Sequence, residues 1–138
     1  MNPKKLRKNS LDQSKKKILL NVLKKLVDVK KTDAIIVYGS QVSGYATKKS
    51  DYDVIILVSD YEKNIRYKYI YDEIEISAII IKTNLFINDA KNARLGEFAI
   101  GRLLNPYLAI KGKALCQKLE FIYKKRIILE TINELHHK

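Results

Sequence analysis

Two short apolar runs limit what this chain can fold into. Ala34-Ile35-Ile36-Val37-Tyr38 and Val54-Ile55-Ile56-Leu57-Val58 are dominated by β-branched side chains, and polar or small residues follow each of them. Runs this short and this uniformly apolar fit strands buried on both faces. Such strands need cover on two sides, and helix-period patterns supply it. Leu19, Val22, Leu23 and Leu26 recur at i, i+3, i+4 and i+7, with lysines on the opposite face. Ser10 or Asp12 stands where the N-cap of that helix belongs. Thr83 or Asn84 opens a second helical stretch, expected to run to about Leu104. Leu85, Phe86, Ala90, Ala93 and Phe98 are its core candidates, and Asn105-Pro106 stops it. A last helix is expected from Ala114 to about Leu135. Leu115, Leu119, Ile122, Leu129 and Ile132 form its apolar stripe, and Cys116 reads as a small core residue.

Residues 65–82 read as two strands, with Asp72-Glu73 at the turn. Tyr67, Tyr69 and Tyr71 alternate on one face, a pattern of packing or, with Arg66 and Lys68 interleaved, of base stacking. Tyr107 to Ile110 reads as an edge strand. The order is helix, four strands, helix, strand, helix. It predicts an α/β (α+β) fold: a mixed sheet of about four to five strands covered by helices. At 138 residues one domain is expected, over residues 10–138, behind a basic, frayed tail at 1–9.

Composition narrows the function classes. Cys116 is the only cysteine, which excludes an internal disulfide and cysteine-based zinc sites. No apolar run approaches the roughly 20 residues of a membrane span, and no apolar block follows the basic N-terminal residues. A cytoplasmic protein with no membrane partner is therefore expected. The net charge of +12 is uneven: residues 1–32 hold eleven Lys and Arg against two Asp. That arm suits nucleic acid, a nucleotide or an acidic partner. A coding sequence of biased base composition gives the same mixture of Lys, Ile, Asn and Tyr without any such role.

The stretch between the two apolar runs carries the chemistry. Gly39 ends the first run, allowing a backbone turn and close approach of a ligand. Ser40 adds a hydroxyl and, if it opens a helix, backbone N–H groups suited to phosphate. Ten residues later, Asp51 and Asp53 stand at i and i+2, so on a strand they project to one face. Paired carboxylates repel unless a cation lies between them. Hard cations such as Mg²⁺ take carboxylate and phosphate oxygens together. Glu75, flanked by Ile74 and Ile76, is the candidate third carboxylate, with Glu73 on the same face as the second choice; an ion pair of Glu75 with Arg66 or Lys68 is the alternative. Lys48 and Lys49 are candidates for triphosphate oxygens, or plain loop charge. Arg94 and Arg102 either reach a nucleotide or belong to the surface.

Gly39-Ser40, ten residues, then Asp51-Tyr52-Asp53, with Gly44 inside the loop, resembles the signature of the DNA polymerase β-type nucleotidyltransferase superfamily. Four fixed residues at this spacing arise by chance in a chain of this length about once in 10³. The resemblance implies the nucleotidyltransferase fold. It implies that Gly39 and Ser40 hold the β- and γ-phosphates of an NTP, that Asp51 and Asp53 bind two Mg²⁺ ions, and that Glu75 completes the metal site and activates the attacking hydroxyl. By its length and its Ser-to-Asp gap the chain is similar to the minimal nucleotidyltransferases paired with HEPN-type partners in toxin–antitoxin modules. There ATP supplies AMP to a tyrosine of the partner. A partner or a homo-oligomer would complete the acceptor site. Two alternatives stand beside this reading: a non-catalytic module of the same fold that binds nucleic acid or a partner, and a transferase acting on a small molecule such as an aminoglycoside or on an RNA end.

Overall fold

The computed structural model describes residues 11–43 and 51–137. The expected tail at 1–9, Ser10, Gly44, Lys48 and Lys49 lie outside them. Helix α1 spans Gln13–Leu23, and the carboxylate of Asp12 caps it by accepting from the Lys15 N–H at 2.8 Å. Such a cap is worth about 1 kcal/mol. Strands β1 (Ala34–Tyr38) and β2 (Tyr52–Val58) flank the four-residue helix α2 (Ser40–Ser43). Strands β3 (Ile65–Tyr71) and β4 (Glu75–Lys82) follow, then α3 (Thr83–Asn92), a 3₁₀ turn at Ile100–Leu104, β5 (Tyr107–Lys111) and α4 (Lys113–His136).

The five strands form one mixed sheet in the order β3-β4-β2-β1-β5. Only β2 and β4 pair in parallel; the other three pairings are antiparallel. Pleating divides each strand between two cores. Ile35, Val37, Val54, Ile56, Ile76 and Ile80 meet Leu19, Val22 and Leu23 of α1. Ile36, Ile55, Leu57 and Ile81 meet Phe86 and Ala90 of α3 and Cys116 and Leu119 of α4. Both apolar runs are buried on two faces, as their composition requires.

Three expectations fail, each for a local reason. The helix expected to reach Leu104 stops at Asn92, where Ala93 turns left-handed at φ 54°. The buried carboxylate of Asp89 accepts from the N–H groups of Leu95 (2.7 Å) and Glu97 (3.2 Å), which binds the chain into a reversal instead of another helical turn. Phe98, beyond that reversal, is exposed rather than in the core. The stripe of α4 is buried only in its first half. Leu119 is covered, but every residue from Ile128 to His137 is exposed, Leu129 and Ile132 included. A helix of 24 residues is about 36 Å long, more than the strands it crosses can cover. The three tyrosines of β3 do not pack into a core either; all three are more than half exposed.

α3, the reversal and α4 are tied at one point. Arg126 donates to the carbonyl of Ala90 at 2.9 Å, to Glu97 at 3.0 Å and to Glu130 at 3.1 Å. The Tyr123 hydroxyl donates to Glu97 at 2.6 Å, and the Arg126 guanidinium lies over the Tyr123 ring.

Candidate active site

The acidic residues gather at one end of the sheet, where β1 finishes and β2 and β4 begin. β1 leaves the sheet through Gly39, whose φ of 81° is the left-handed turn that glycine takes without strain. A side chain there would also displace a neighbour. A Cβ at this position would lie 2.5 Å from Asp53 Oδ2, closer than any carbon tolerates. The carboxylate therefore rests directly on the backbone of the turn. The turn continues into α2 by a bond from the Val42 N–H to the Gly39 carbonyl at 3.1 Å, and the buried Val42 side chain pins α2 to the core.

Asp53 pairs with Tyr38 of β1 on one side and with Ser77 of β4 on the other. Asp51, two residues earlier, shares its face. The Ser77 hydroxyl donates to Asp51 Oδ2 at 2.8 Å, which fixes one oxygen of that carboxylate. The Asp53 carboxyl is held above its ordinary range, first by burial and then by the charge of Asp51; Arg102 works in the opposite direction. Arg102 reaches this end of the sheet from the 3₁₀ turn, and its guanidinium lies 5.3 Å above the Tyr38 ring. The Tyr38 hydroxyl is raised by burial and by the neighbouring charge of Asp53.

Glu75 opens β4 on the same face as Asp51 and Asp53, because it lies two residues before Ser77. Its Oε2 accepts from the Tyr69 hydroxyl at 2.7 Å, and this bond pushes the phenol up to about 12. Arg66 does not pair with Glu75; it bonds to Glu62 at 3.2 Å. Glu73 does not share the face of Glu75. It sits in the turn between β3 and β4, where its N–H donates to the Asp72 side chain. Among the described residues no three His, Cys, Asp or Glu side chains come close enough together to hold a metal ion. The structure thus brings Asp51, Asp53 and Gly39 together and leaves Glu75 turned toward β3.

Register connects the site to its surroundings. Tyr69, Ser77, Asp53, Tyr38 and Tyr107 lie in one line across all five strands. Cross-strand partners share a face, so Tyr67, Tyr69 and Tyr71 are on the acidic face of the sheet. Tyr67 also stands 6.5 Å from the ring of Phe98. Ser77, Tyr38 and the line of tyrosines were not singled out together by sequence reasoning. The available signal was Ser77 at i+2 from Glu75, which becomes informative once β2 and β4 are known to be parallel and in register.

A groove of about 1030 Å³ runs between β5 and α4, bordered by Lys16, Lys113, Lys124 and Phe121. None of Gly39, Asp51, Asp53 and Glu75 lines it. Among the described residues no helix is long and apolar enough to cross a membrane.

The fold is thus a mixed sheet with helices on both faces, and at one end of it a Gly-Ser turn is set against an Asp-x-Asp segment. The sequence profile of the family described as polymerase beta, nucleotidyltransferase matches residues 17–100, more than half of the chain, and the chain belongs to that family. The matched segment runs from α1 through β4 and α3 to the first residue of the 3₁₀ turn, so it contains Gly39, Ser40, Asp51, Asp53 and Glu75. No curated protein sequence matches the chain significantly.

Proposed function

We propose that this protein transfers a nucleoside monophosphate from an NTP, with ATP the expected donor, to an acceptor hydroxyl, and that it does so with Mg²⁺ held at Asp51 and Asp53. The observation that carries the reading is the seat of Asp53. Its carboxylate lies against a bare glycine turn and beside a second carboxylate of the same sign. Two like charges gathered where the chain leaves room only for a backbone fit a divalent cation better than any partner within the fold. Bound there, Mg²⁺ would neutralise the phosphate charge and polarise the reacting phosphorus.

The chain's own groups divide the remaining work. Gly39 and Ser40 offer the turn that takes the β- and γ-phosphates. Ser77 orients Asp51 through its hydrogen bond. Arg102, over Tyr38, supplies positive charge near the carboxylates. Glu75 is the carboxylate available to take the acceptor's proton. The acceptor approaches from the β3 side, where the sheet is open. The acceptor in this reading is a hydroxyl on a helical HEPN-type partner, as in toxin–antitoxin modules, with which the Ser-to-Asp spacing agrees. Lys48 and Lys49, just before Asp51 in the sequence, are further candidates for the triphosphate.

Calorimetric titration of ATP, GTP, CTP and UTP, with and without Mg²⁺, tests this. Wild type binds one or more NTPs only with Mg²⁺, and Asp53→Ala abolishes the binding. A folded wild type that binds none of the four overturns the proposal. A second reading draws on the absence of a three-carboxylate cluster among the described residues: a module of this fold that binds nucleic acid or a partner without chemistry. Steeply salt-dependent binding of nucleic acid, without Mg²⁺-linked NTP binding, favours that module.

A further inference from the structure

An acceptor for nucleotidyl transfer needs a hydroxyl, access to solvent, a nearby base, and a place beside the carboxylates that bind the donor. Several hydroxyls border the acidic end of the sheet. Tyr38 is half-buried beneath the Arg102 guanidinium. Ser77 is half-buried and spends its hydrogen bond on Asp51. Tyr69 differs from both. Its side chain is 59% exposed, yet its hydroxyl is anchored 2.7 Å from Glu75 Oε2. It stands on the acidic face, in the same cross-strand line as Asp53, two strand spacings away. That separation is about 10 Å at the backbone, which leaves a phosphate room between the phenol and the aspartates.

We propose that Tyr69 is itself a nucleotidyl acceptor: given an NTP and no other acceptor, the chain modifies its own Tyr69 with a nucleoside monophosphate. This rests on the nucleotidyl-transfer reading above and adds an acceptor to it. The Tyr69 oxygen forms a bond to the α-phosphorus. The bond from that phosphorus to the oxygen bridging it to the β-phosphorus breaks, and pyrophosphate leaves. The phenolic proton passes to Glu75. The product is a tyrosyl phosphodiester, with no change of oxidation state. Once it has formed, the attached nucleotide lies over the acidic face in the place of any further acceptor, so the transfer occurs once per chain.

The experiment is intact-protein mass spectrometry of the full chain after incubation with Mg²⁺ and each of the four NTPs, with peptide mapping and a pyrophosphate assay. The expected result is the mass of one nucleoside monophosphate per chain, located on Tyr69, with equimolar pyrophosphate. Tyr69→Phe and Asp53→Ala lose the label, whereas Tyr71→Phe is labelled as wild type. Circular dichroism confirms that each variant is folded. A label on Ser77 or any other residue overturns the proposal. So does an unlabelled chain that binds an NTP with Mg²⁺, and in that case the nucleotidyl-transfer reading survives. An unlabelled chain that binds no NTP overturns both.

Discussion

β4 has two neighbours that could hardly differ more. On one side β2 runs parallel to it, with every residue from Val54 to Val58 buried. On the other, β3 runs antiparallel along the edge and exposes Tyr67, Tyr69 and Tyr71. Both put chemically distinctive alternate residues on the same face of the sheet. At the start of β2 these are Asp51 and Asp53, held by a serine hydroxyl and a glycine turn. In β3 they are three tyrosines, each more than half exposed. Rigidity and access are thus separated by a single strand. The central strand holds charge in a fixed place, and the edge strand offers a surface that something else can reach.

Substitutions on the two strands should therefore read out differently. The largest effect is expected at Asp53. Asp53→Ala abolishes Mg²⁺-dependent NTP binding in calorimetry while the protein remains folded; retained binding would place the cation elsewhere. Ile56→Ala, in the core under α1, is expected to cost about 2–5 kcal/mol in urea unfolding. Loss of less than about 1 kcal/mol would mean that β2 is not the rigid member of the pair. Gly39→Ala should lower stability by about 1–3 kcal/mol, through its left-handed backbone and the contact with Asp53, and should weaken NTP binding with it. An unchanged binding isotherm would show that the carboxylate can move aside.

Asp53→Asn sharpens the contrast between the site and the fold. The folded-state pKa of Asp53 lies above its ordinary value of 3.8, so ionisation favours the unfolded chain. Stability from this group is present at acid pH and is lost as pH rises through the folded pKa. The neutral variant should therefore melt a few degrees higher at pH 7, although it binds no NTP, and the gain should vanish below the ordinary carboxylate range. A lower Tm at pH 7 would refute the assigned cause. The smallest effect is expected at Tyr71→Ala, within about 0.5 kcal/mol of wild type by thermal unfolding.

Sequence reasoning located the parts of the molecule whose physics is local. β1 and β2 announce themselves because strands buried on both faces are apolar throughout. The Gly39 turn and the Asp51-Tyr52-Asp53 pair were legible because their spacing is set within one connection. Where burial depends on what lies opposite, the sequence was silent. Tyr67, Tyr69 and Tyr71 alternate as packed residues do, but β3 is at the edge and each of them is more than half exposed. Leu129 and Ile132 keep a helical stripe beyond the point where the sheet ends. The reversal after α3 depends on Asp89, whose carboxylate binds two N–H groups in place of the next turn; no periodicity signals that. Ser77 carries no signal in the sequence because its value comes from the parallel register with Asp53. That pairing joins segments separated by a whole strand.

The line of residues from Tyr69 to Tyr107 also has a bearing on time. Antiparallel β3 and β4 close across a short turn and can form early. β1 cannot complete its pairing until β5 arrives from residues 107–111, beyond β2, β3, β4 and α3 in the chain. Closing so long a loop is entropically slow, and topologies rich in such contacts fold slowly. Tyr38, the last residue of β1, takes its place between Asp53 and Tyr107 only when that closure is made. The turn at Gly39 begins at the next residue. Assembly of the acidic end of the sheet is therefore expected among the last events of folding. An NTP that binds it with Mg²⁺ would act on unfolding far more than on the early steps of refolding.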